Sequence, residues 1–315
     1  MIPEFEVTIL GNTSSIPVHG RNHTAQVIRF GQECLLLDCG EGTQIQMRKF
    51  KIKSSKISHI FISHLHGDHY LGLIGLLSSY HLSKRTQPLK IFGPQGLDEI
   101  ITIHFRWSNT RLAYPLEFIQ SHDDGLNLLL DHPRFSVYSF PLSHRIPTTG
   151  FLIKEKQGLR SLIKEKLQEN KIPLQAIHEI RSGRDFTDEL GNVLRVDEYA
   201  HPLPALRSYA FCSDTKFQPE LAAFLNGVDL LYHESTFMES DAQRAADTFH
   251  CTAKQAAEIA RISGVKKLLL GHFSSRYVDL CEMLAEAQTV FADSILSEEG
   301  KILQVINNLP EIGLK

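Results

Sequence analysis

Apolar and polar positions alternate over residues 4–10, the pattern of a half-buried strand, and two apolar stretches, 25–30 and 34–38, meet across Gly31 as a further pair. Residues 57–63 form another strand-like run. From 69 to 83 the spacing becomes helical, 91–93 ends a strand, and Pro94 opens a second helix. Residues 115–119, 126–130 and 134–141 read as strands. The stretch 154–193 then breaks the alternation, being charged, poor in apolar residues, helical only over 159–170, and turned by Pro173, Gly183 and Gly191. It reads as an inserted arm. Beyond it, strands at 209–213, 228–232, 267–270 and 301–306 interleave with helices at 219–225, 252–262 and 278–291. Two such halves flanking an arm predict a single four-layered α/β domain over residues 1–315, with the arm at 154–193.

Composition narrows the class without changing this picture. With 315 residues, 42% hydrophobic and 22% charged, the chain suits a soluble globular protein and excludes disorder, collagen and coiled coil. Its net charge of −3 supplies no global positive field, so a nucleic-acid partner requires a local basic patch. Over residues 151–184 eight basic residues face four acidic ones; three more acids follow before 193. The basic excess therefore lies in the first part of the arm, the one charge clue to an anionic partner. No window approaches the roughly 18 apolar residues of a membrane span, and Glu4 and Glu6 stand where a signal peptide is basic and then apolar. A cytoplasmic protein without a membrane partner is expected. Five cysteines without a C-x-x-C spacing suit reduced thiols, and the unusual count is that of histidine, 16.

The histidines cluster where chemistry is expected. His64-Leu65-His66-Gly67-Asp68-His69 places four potential metal ligands at the end of the apolar run 57–63, which has no packing reason to finish in three imidazoles. Imidazole and carboxylate suit zinc or another first-row divalent ion, and Gly67 is expected to allow a tight backbone path. His64 and His66 face one ion in this reading, and Asp68 and His69 a second.

The hexapeptide resembles the signature of the metallo-β-lactamase superfamily. That resemblance implies an αββα sandwich with a dinuclear site, and three more ligands in order: His144 for the first ion, Asp214 bridging both, and His272 for the second. Two ions about 3.5–4 Å apart make hydroxide available at neutral pH and neutralise phosphoryl or carbonyl oxygens, so hydrolysis is the expected reaction. Two Zn2+ per subunit are expected, with Mn2+ and Fe2+ left open.

Four local stretches narrow the resemblance to ribonuclease Z, which trims precursor tRNA 3′ ends. Pro17-Val18-His19-Gly20-Arg21-Asn22 is similar to the family's P-x-K-x-R-N loop, with His19 in place of lysine; His233-Glu234-Ser235-Thr236-Phe237 is similar to H-E-A-T-F, and His250-Cys251-Thr252 to H-S-T. His272-Phe273-Ser274-Ser275-Arg276-Tyr277 matches H-x-S-x-R-Y. The resemblance implies that His250 protonates the leaving oxygen while Asp68 steers the attacking hydroxide. Arg21, Asn22, Ser274 and Arg276 are the expected substrate contacts, Arg276 offering a planar fork to phosphate. Glu234 orients His250 or a ligand. The resemblance implies that the arm is a flexible exosite that grips precursor tRNA from the partner subunit of a homodimer, with Gln175 and Ala176 where the family has a Gly-x-Pro or Pro-Gly-Pro type of turn. The implied function is a zinc-dependent endoribonuclease that cuts after the discriminator nucleotide. Two alternatives stand: a metallo-phosphodiesterase for small or cyclic phosphodiesters, and an RNA-binding module without turnover.

Overall fold

The computed structural model describes residues 3–170 and 172–306, so Lys171, one of the arm's basic residues, and the extreme ends of the predicted domain lie outside it. The first half of the chain runs β1 (Phe5–Gly11), β2 (Ala25–Phe30), β3 (Glu33–Leu37), α1 (Thr43–Lys49), β4 (Ile57–Phe61), α2 (Gly67–Leu82), β5 (Leu89–Gly93), α3 (Leu97–Trp107) and β6 (Leu116–Gln120). Gly31, at φ +60°, turns β2 into β3 in two residues, a backbone conformation that other side chains resist. Then follow β7 (Asn127–Asp131), β8 (Phe135–Leu142) and β9 (Thr148–Glu155), and after them α4 (Lys164–Glu169), α5 (Leu174–Ser182), β10 (Phe186–Thr187), β11 (Val193–Leu194) and α6 (Val196–Tyr199). The last part comprises β12 (Ser208–Cys212), α7 (Ala222–Leu225), β13 (Leu230–Glu234), α8 (Ala242–Thr248), α9 (Ala253–Ser263), β14 (Leu268–Gly271), α10 (Cys281–Gln288), β15 (Ser294–Leu296) and β16 (Ile302–Gln304).

Two seven-stranded sheets carry the fold, ordered β16-β1-β2-β3-β4-β5-β6 and β15-β14-β13-β12-β9-β8-β7. Their facing surfaces bury an aromatic layer, in which Phe61 stacks on Phe92 at 4.6 Å and meets Phe151 of the opposite sheet edge-on at 5.5 Å. Each such ring, fully buried, contributes on the order of 1.5–3 kcal/mol. The outer face of the first sheet is covered by α2 and α3 through Leu73, Leu76, Leu77, Ile101 and Phe105, and that of the second by α9 and α10. The molecule is therefore the αββα sandwich that the sequence reading anticipated. No helix among the described residues is long and apolar enough to cross a membrane, and all five cysteines are free.

Several elements differ from expectation. β1 is buried along its whole length: Phe5, Val7 and Ile9 enter the core between the sheets, and on the other face Glu6 is covered by its own pairing, held by Arg29 Nε at 2.8 Å. The eight-residue β9 is absent from the sequence reading, which assigned Lys154 and Glu155 to the arm. The segment between the sheet strands is 156–207. Its ends are fastened side by side, since the Glu155 N–H donates to the Arg207 carbonyl at 2.9 Å and the Arg207 guanidinium forks onto the Glu155 carboxylate, 2.8 Å at each oxygen. The segment has a core of its own, Ala176, Ile180, Val196, Tyr199 and Ala200. The helix expected over 159–170 shrinks to α4. At the Gln175-Ala176 departure the chain starts α5 directly after Pro173, and Ala176 fills that small core.

Candidate metal centre

Strand ends and the first turn of one helix bring the expected ligands to one edge of the sandwich. His64 and His66 follow β4, His144 follows β8, Asp214 follows β12 and His272 follows β14, while Asp68 and His69 occupy the first turn of α2. The ligand atoms of His64, His66, His144 and Asp214 all lie within 4.8 Å of one another, and so do those of Asp68, His69 and His272. Asp214 joins the two sets. Its Oδ2 lies 3.6 Å from His64 Nε2 and 3.8 Å from His144 Nε2, whereas its Oδ1 lies 3.3 Å from His69 Nε2 and 3.1 Å from His272 Nε2. A tetrahedral ion with bonds of about 2.1 Å separates its ligand atoms by about 3.4 Å. The spacing thus suits a divalent metal site, with one carboxylate oxygen turned to each histidine group.

The imidazoles are oriented from behind. His69 Nδ1–H donates to Asp38 at 2.7 Å and His144 Nδ1–H to the Phe249 carbonyl at 2.9 Å. Thr236 donates its hydroxyl proton to Glu234 at 2.7 Å, which leaves its oxygen to accept from His272 Nδ1 at 3.0 Å. Ser63 likewise donates to Asp38 and accepts from His64 Nδ1 at 3.0 Å. Four rings therefore hold a proton on Nδ1 and turn the Nε2 lone pair inward, and His66 presents Nδ1 instead. Burial keeps His64 well below its ordinary pKa, and it lowers His66 and His144 too. Burial opposes the charge on Asp68 and Asp214, yet the surrounding imidazoles hold both below the usual carboxylate range. Neutral imidazole and ionised carboxylate are the forms that bind metal. For His69, burial is outweighed by Asp214, Asp68 and Asp38, which raise its pKa well above the ordinary value and mark where positive charge is most favoured.

Asp38 is the residue that sequence reasoning missed. Fully buried at the end of the apolar run 35–37, it takes a left-handed φ of +54° and accepts both the Ser63 N–H at 2.8 Å and the His69 imidazole. An acid directly after a buried strand was the available signal. Gly67 does not supply the expected special path, since α2 begins there with ordinary backbone. The required glycine is Gly72, whose absent side chain lets the 38–42 loop lie on α2: the Cys39 N–H donates to the His69 carbonyl at 2.7 Å and the Gly72 N–H to the Cys39 carbonyl at 2.9 Å. A Cβ at Gly72 meets the Gly40 carbonyl oxygen at 2.1 Å. Gly72→Ala is expected to destabilise the fold by about 1–3 kcal/mol in urea unfolding and to lower retained metal; parental values for both would show that the loop yields freely.

His250, in the loop between α8 and α9, closes the site. It stacks on His272 at 5.5 Å and packs 5.1 Å from His144, one ring from each group. Glu234, at the end of β13, accepts from His250 Nδ1 at 2.8 Å and from the Thr215 and Thr236 N–H groups. Burial disfavours the imidazolium, but this carboxylate outweighs it and raises His250 to about 9.

The remaining candidates lie apart from the ligands. Arg276 pairs with Asp241 at 3.3 Å above the Phe237 ring, and Ser274 is nearly buried. Arg21 donates to the Tyr277 carbonyl and packs over Phe273, while Asn22 donates to Glu299 at 2.9 Å. His19, 2.8 Å from the Ser275 carbonyl, helps fasten the 12–22 loop to 272–277. Asp68 belongs to the same arrangement, since its Oδ2 accepts the Ser15 N–H at 2.8 Å.

Residues 5–111 match the family model of the anti-Pycsar protein Apyc1. The chain is 46% identical over 307 residues to ribonuclease Z of Cytophaga hutchinsonii, covering 97% of this chain and 98% of that one. Among solved structures, the short form of human tRNase Z superposes with a TM-score of 0.70 at 27% identity, covering 96% of this chain and all of that one. The metallo-β-lactamase fold protein YhfI of Bacillus subtilis, at 17% identity and a TM-score of 0.68, covers 96% of this chain and 99% of its own and shares the fold. Relatedness of this degree over nearly the full length means that the chain belongs to the ribonuclease Z family, metal-dependent endoribonucleases that hydrolyse phosphodiesters.

Proposed function

We propose that this protein is a zinc-dependent endoribonuclease that removes the 3′ trailer of precursor tRNA after the discriminator nucleotide, leaving a tRNA 3′-hydroxyl and a 5′-phosphorylated trailer. The reading draws on the name shared by its full-length relatives and is carried by one observation, the Asp214 carboxylate with one oxygen turned to each histidine group. His64, His66 and His144 would hold one ion, Asp68, His69 and His272 the other, and Asp214 both. The same donors suit manganese or iron(II). When bound, two such ions supply Lewis acidity at a phosphate oxygen and a water acidic enough to attack at neutral pH.

The chain's own residues do the rest. The Ser15 N–H holds Asp68 at Oδ2, and the carboxylate so placed would steer the attacking water. Glu234 holds His250 by Nδ1, so Nε2 carries the proton that passes to the departing 3′ oxygen as the P–O3′ bond breaks. Arg276 and Ser274, which follow His272 in the chain, would act as phosphate donors, and Arg21 and Asn22 hold the 12–22 loop through Tyr277 and Glu299. Arg276→Ala should raise KM several-fold with kcat nearly unchanged, since it grips substrate rather than reacting atoms. An equal fall in kcat would place it in the chemistry instead.

The 156–207 segment is read as the tRNA-gripping arm of a cytoplasmic homodimer, each arm serving the partner's site. Among its basic residues Arg184 pairs with Glu179 and Lys156 with Asp131, whereas Lys164, Lys166 and Arg181 are exposed. Because Glu155 and Arg207 already lie side by side, residues 158–204 can be replaced by a short linker without cutting β9. That variant should lose most activity on precursor tRNA and keep its hydrolysis of bis-p-nitrophenyl phosphate. The decisive test is cleavage of a 3′-extended precursor by metal-replete protein, with ends mapped to the nucleotide. Cutting after the discriminator, abolished by chelation, supports the proposal; activity confined to small phosphodiesters replaces it.

A further inference from the structure

The arm is not where the chain's largest charge excess lies. Between Glu41 and Glu117 stand ten basic residues and three acidic ones, and of the acids Asp68 faces the metal centre while Asp98 and Glu99 open α3. The fold gathers the basic residues. Strands β3, β4, β5 and β6 are parallel neighbours, with carboxyl ends on the metal side, so the helices between them all finish at the opposite edge. Three helix-to-strand connections therefore lie next to one another there: 50–56 with Lys51, Lys53 and Lys56, 83–88 with Lys84 and Arg85, and 108–115 with Arg111. None contains an acid.

Basic residues in a helix's last turn answer its dipole, but that accounts only for Arg48, Lys49 and Arg106. Lys51, Lys53, Lys56, Lys84, Arg106 and Arg111 are exposed, and among the described residues none makes an ion pair, whereas Lys90 nearby pairs with Glu117 at 3.3 Å. Beside them Trp107, the chain's single tryptophan, ends α3 and is 80% exposed. An unpaired basic surface around a naked indole is matched by phosphates and a base: the cations neutralise the backbone and the ring stacks. A second copy fits worse, because a two-fold contact sets the same basic patch against itself.

We propose that these three connections form an RNA-binding face, with Trp107 stacking an unpaired base and Lys84, Arg106 and Arg111 on the flanking phosphates. The sixteen residues of α2 span about 24 Å, which sets this face apart from the metal centre. It engages a part of the RNA distant from the scissile bond. The proposal rests on the reading of the substrate as RNA.

Trp107 makes the test direct, because all indole emission of the protein comes from it. The intact, metal-replete protein is titrated with a single-stranded oligouridylate, with a tRNA transcript ending at the discriminator, and with poly-L-glutamate. Saturable quenching by RNA, absent with poly-L-glutamate, is expected. The combined variant Lys84→Glu, Arg106→Glu, Arg111→Glu should bind labelled RNA at least about tenfold more weakly and reduce the magnitude of the log–log salt slope by about 2–3. Trp107→Ala should weaken binding roughly tenfold. Metal content and hydrolysis of bis-p-nitrophenyl phosphate remain parental in both, which separates a binding loss from misfolding. Unchanged emission at saturating RNA, equal quenching by poly-L-glutamate, or parental affinity in the charge-reversed variant overturns the proposal. So does an emission shift that follows protein concentration alone, which makes the face a self-association surface. Quenching by RNA from a protein that cuts no precursor tRNA would leave this face standing and remove the tRNA-processing reading.

Discussion

Asp214→Ala is expected to abolish phosphodiester hydrolysis, lowering kcat by at least about a thousandfold, or roughly 4 kcal/mol of transition-state stabilisation. The reason lies in the carboxylate's position. It is 2% exposed and has an oxygen within 3.1–3.8 Å of histidines from each group, so in the proposed two-ion site its loss would remove a ligand from both ions at once. No neighbour can replace it, since Asp68 reaches only His69 and His272. Metal bound per subunit, measured by mass spectrometry after dialysis, should fall together with activity. Asp214→Asn keeps the shape and one neutral oxygen and should retain more metal than the alanine variant. Full metal content and turnover in Asp214→Ala would overturn the shared-ligand reading.

His250→Ala should lower kcat by about 10²–10⁴-fold, the range of one general acid. Because the ligand atoms of His250, Asp214 and His272 also lie within 4.8 Å of one another, metal content is measured alongside. An unchanged value is expected of an acid whose Nδ1 is held by Glu234, whereas metal lost with activity would make the ring a ligand. Its pH dependence has a defined sign. Glu234 raises the folded-state pKa of His250 to about 9, so the acid form prevails at neutral pH and activity falls as pH rises toward that value. Cations bound beside it would push the same group down, so the alkaline limb is expected below about 9. In Glu234→Gln the carboxylate is gone and burial remains, so the limb should move to lower pH. The stabilising effect of the pair follows the same sign, complete below the unfolded pKa of about 6.5 and lost as pH climbs through the folded one. A limb that stays in place would show that another group donates the proton, leaving Glu234 a purely structural partner of Thr236 and Thr215.

The strand and helix periods were legible because burial on one face writes itself into the order of side chains. So β2, β4, α2 and α9 were anticipated closely, and the ligand hexapeptide stood out because adjacent residues supply it. β9 was not, because Thr148 and Thr149 open it with the polar start of a loop and Lys154 and Glu155 close it among charges. Asp38 escaped for a different reason. One aspartate after one strand is common, and only the return of β4 beside β3 brings the Ser63 N–H and the His69 ring to it.

By itself the sequence determined the alternation of elements, the order of the candidate ligands behind apolar strands and the kinship of the chain, since each is written in neighbouring residues. Only the tertiary structure decided that the two oxygens of Asp214 face different histidine groups, that Gly72 must lack a side chain, and that three basic connections far apart in sequence share one edge. These are contacts between residues tens to hundreds of positions apart, and they exist only once parallel strands and two packed sheets fix the distances.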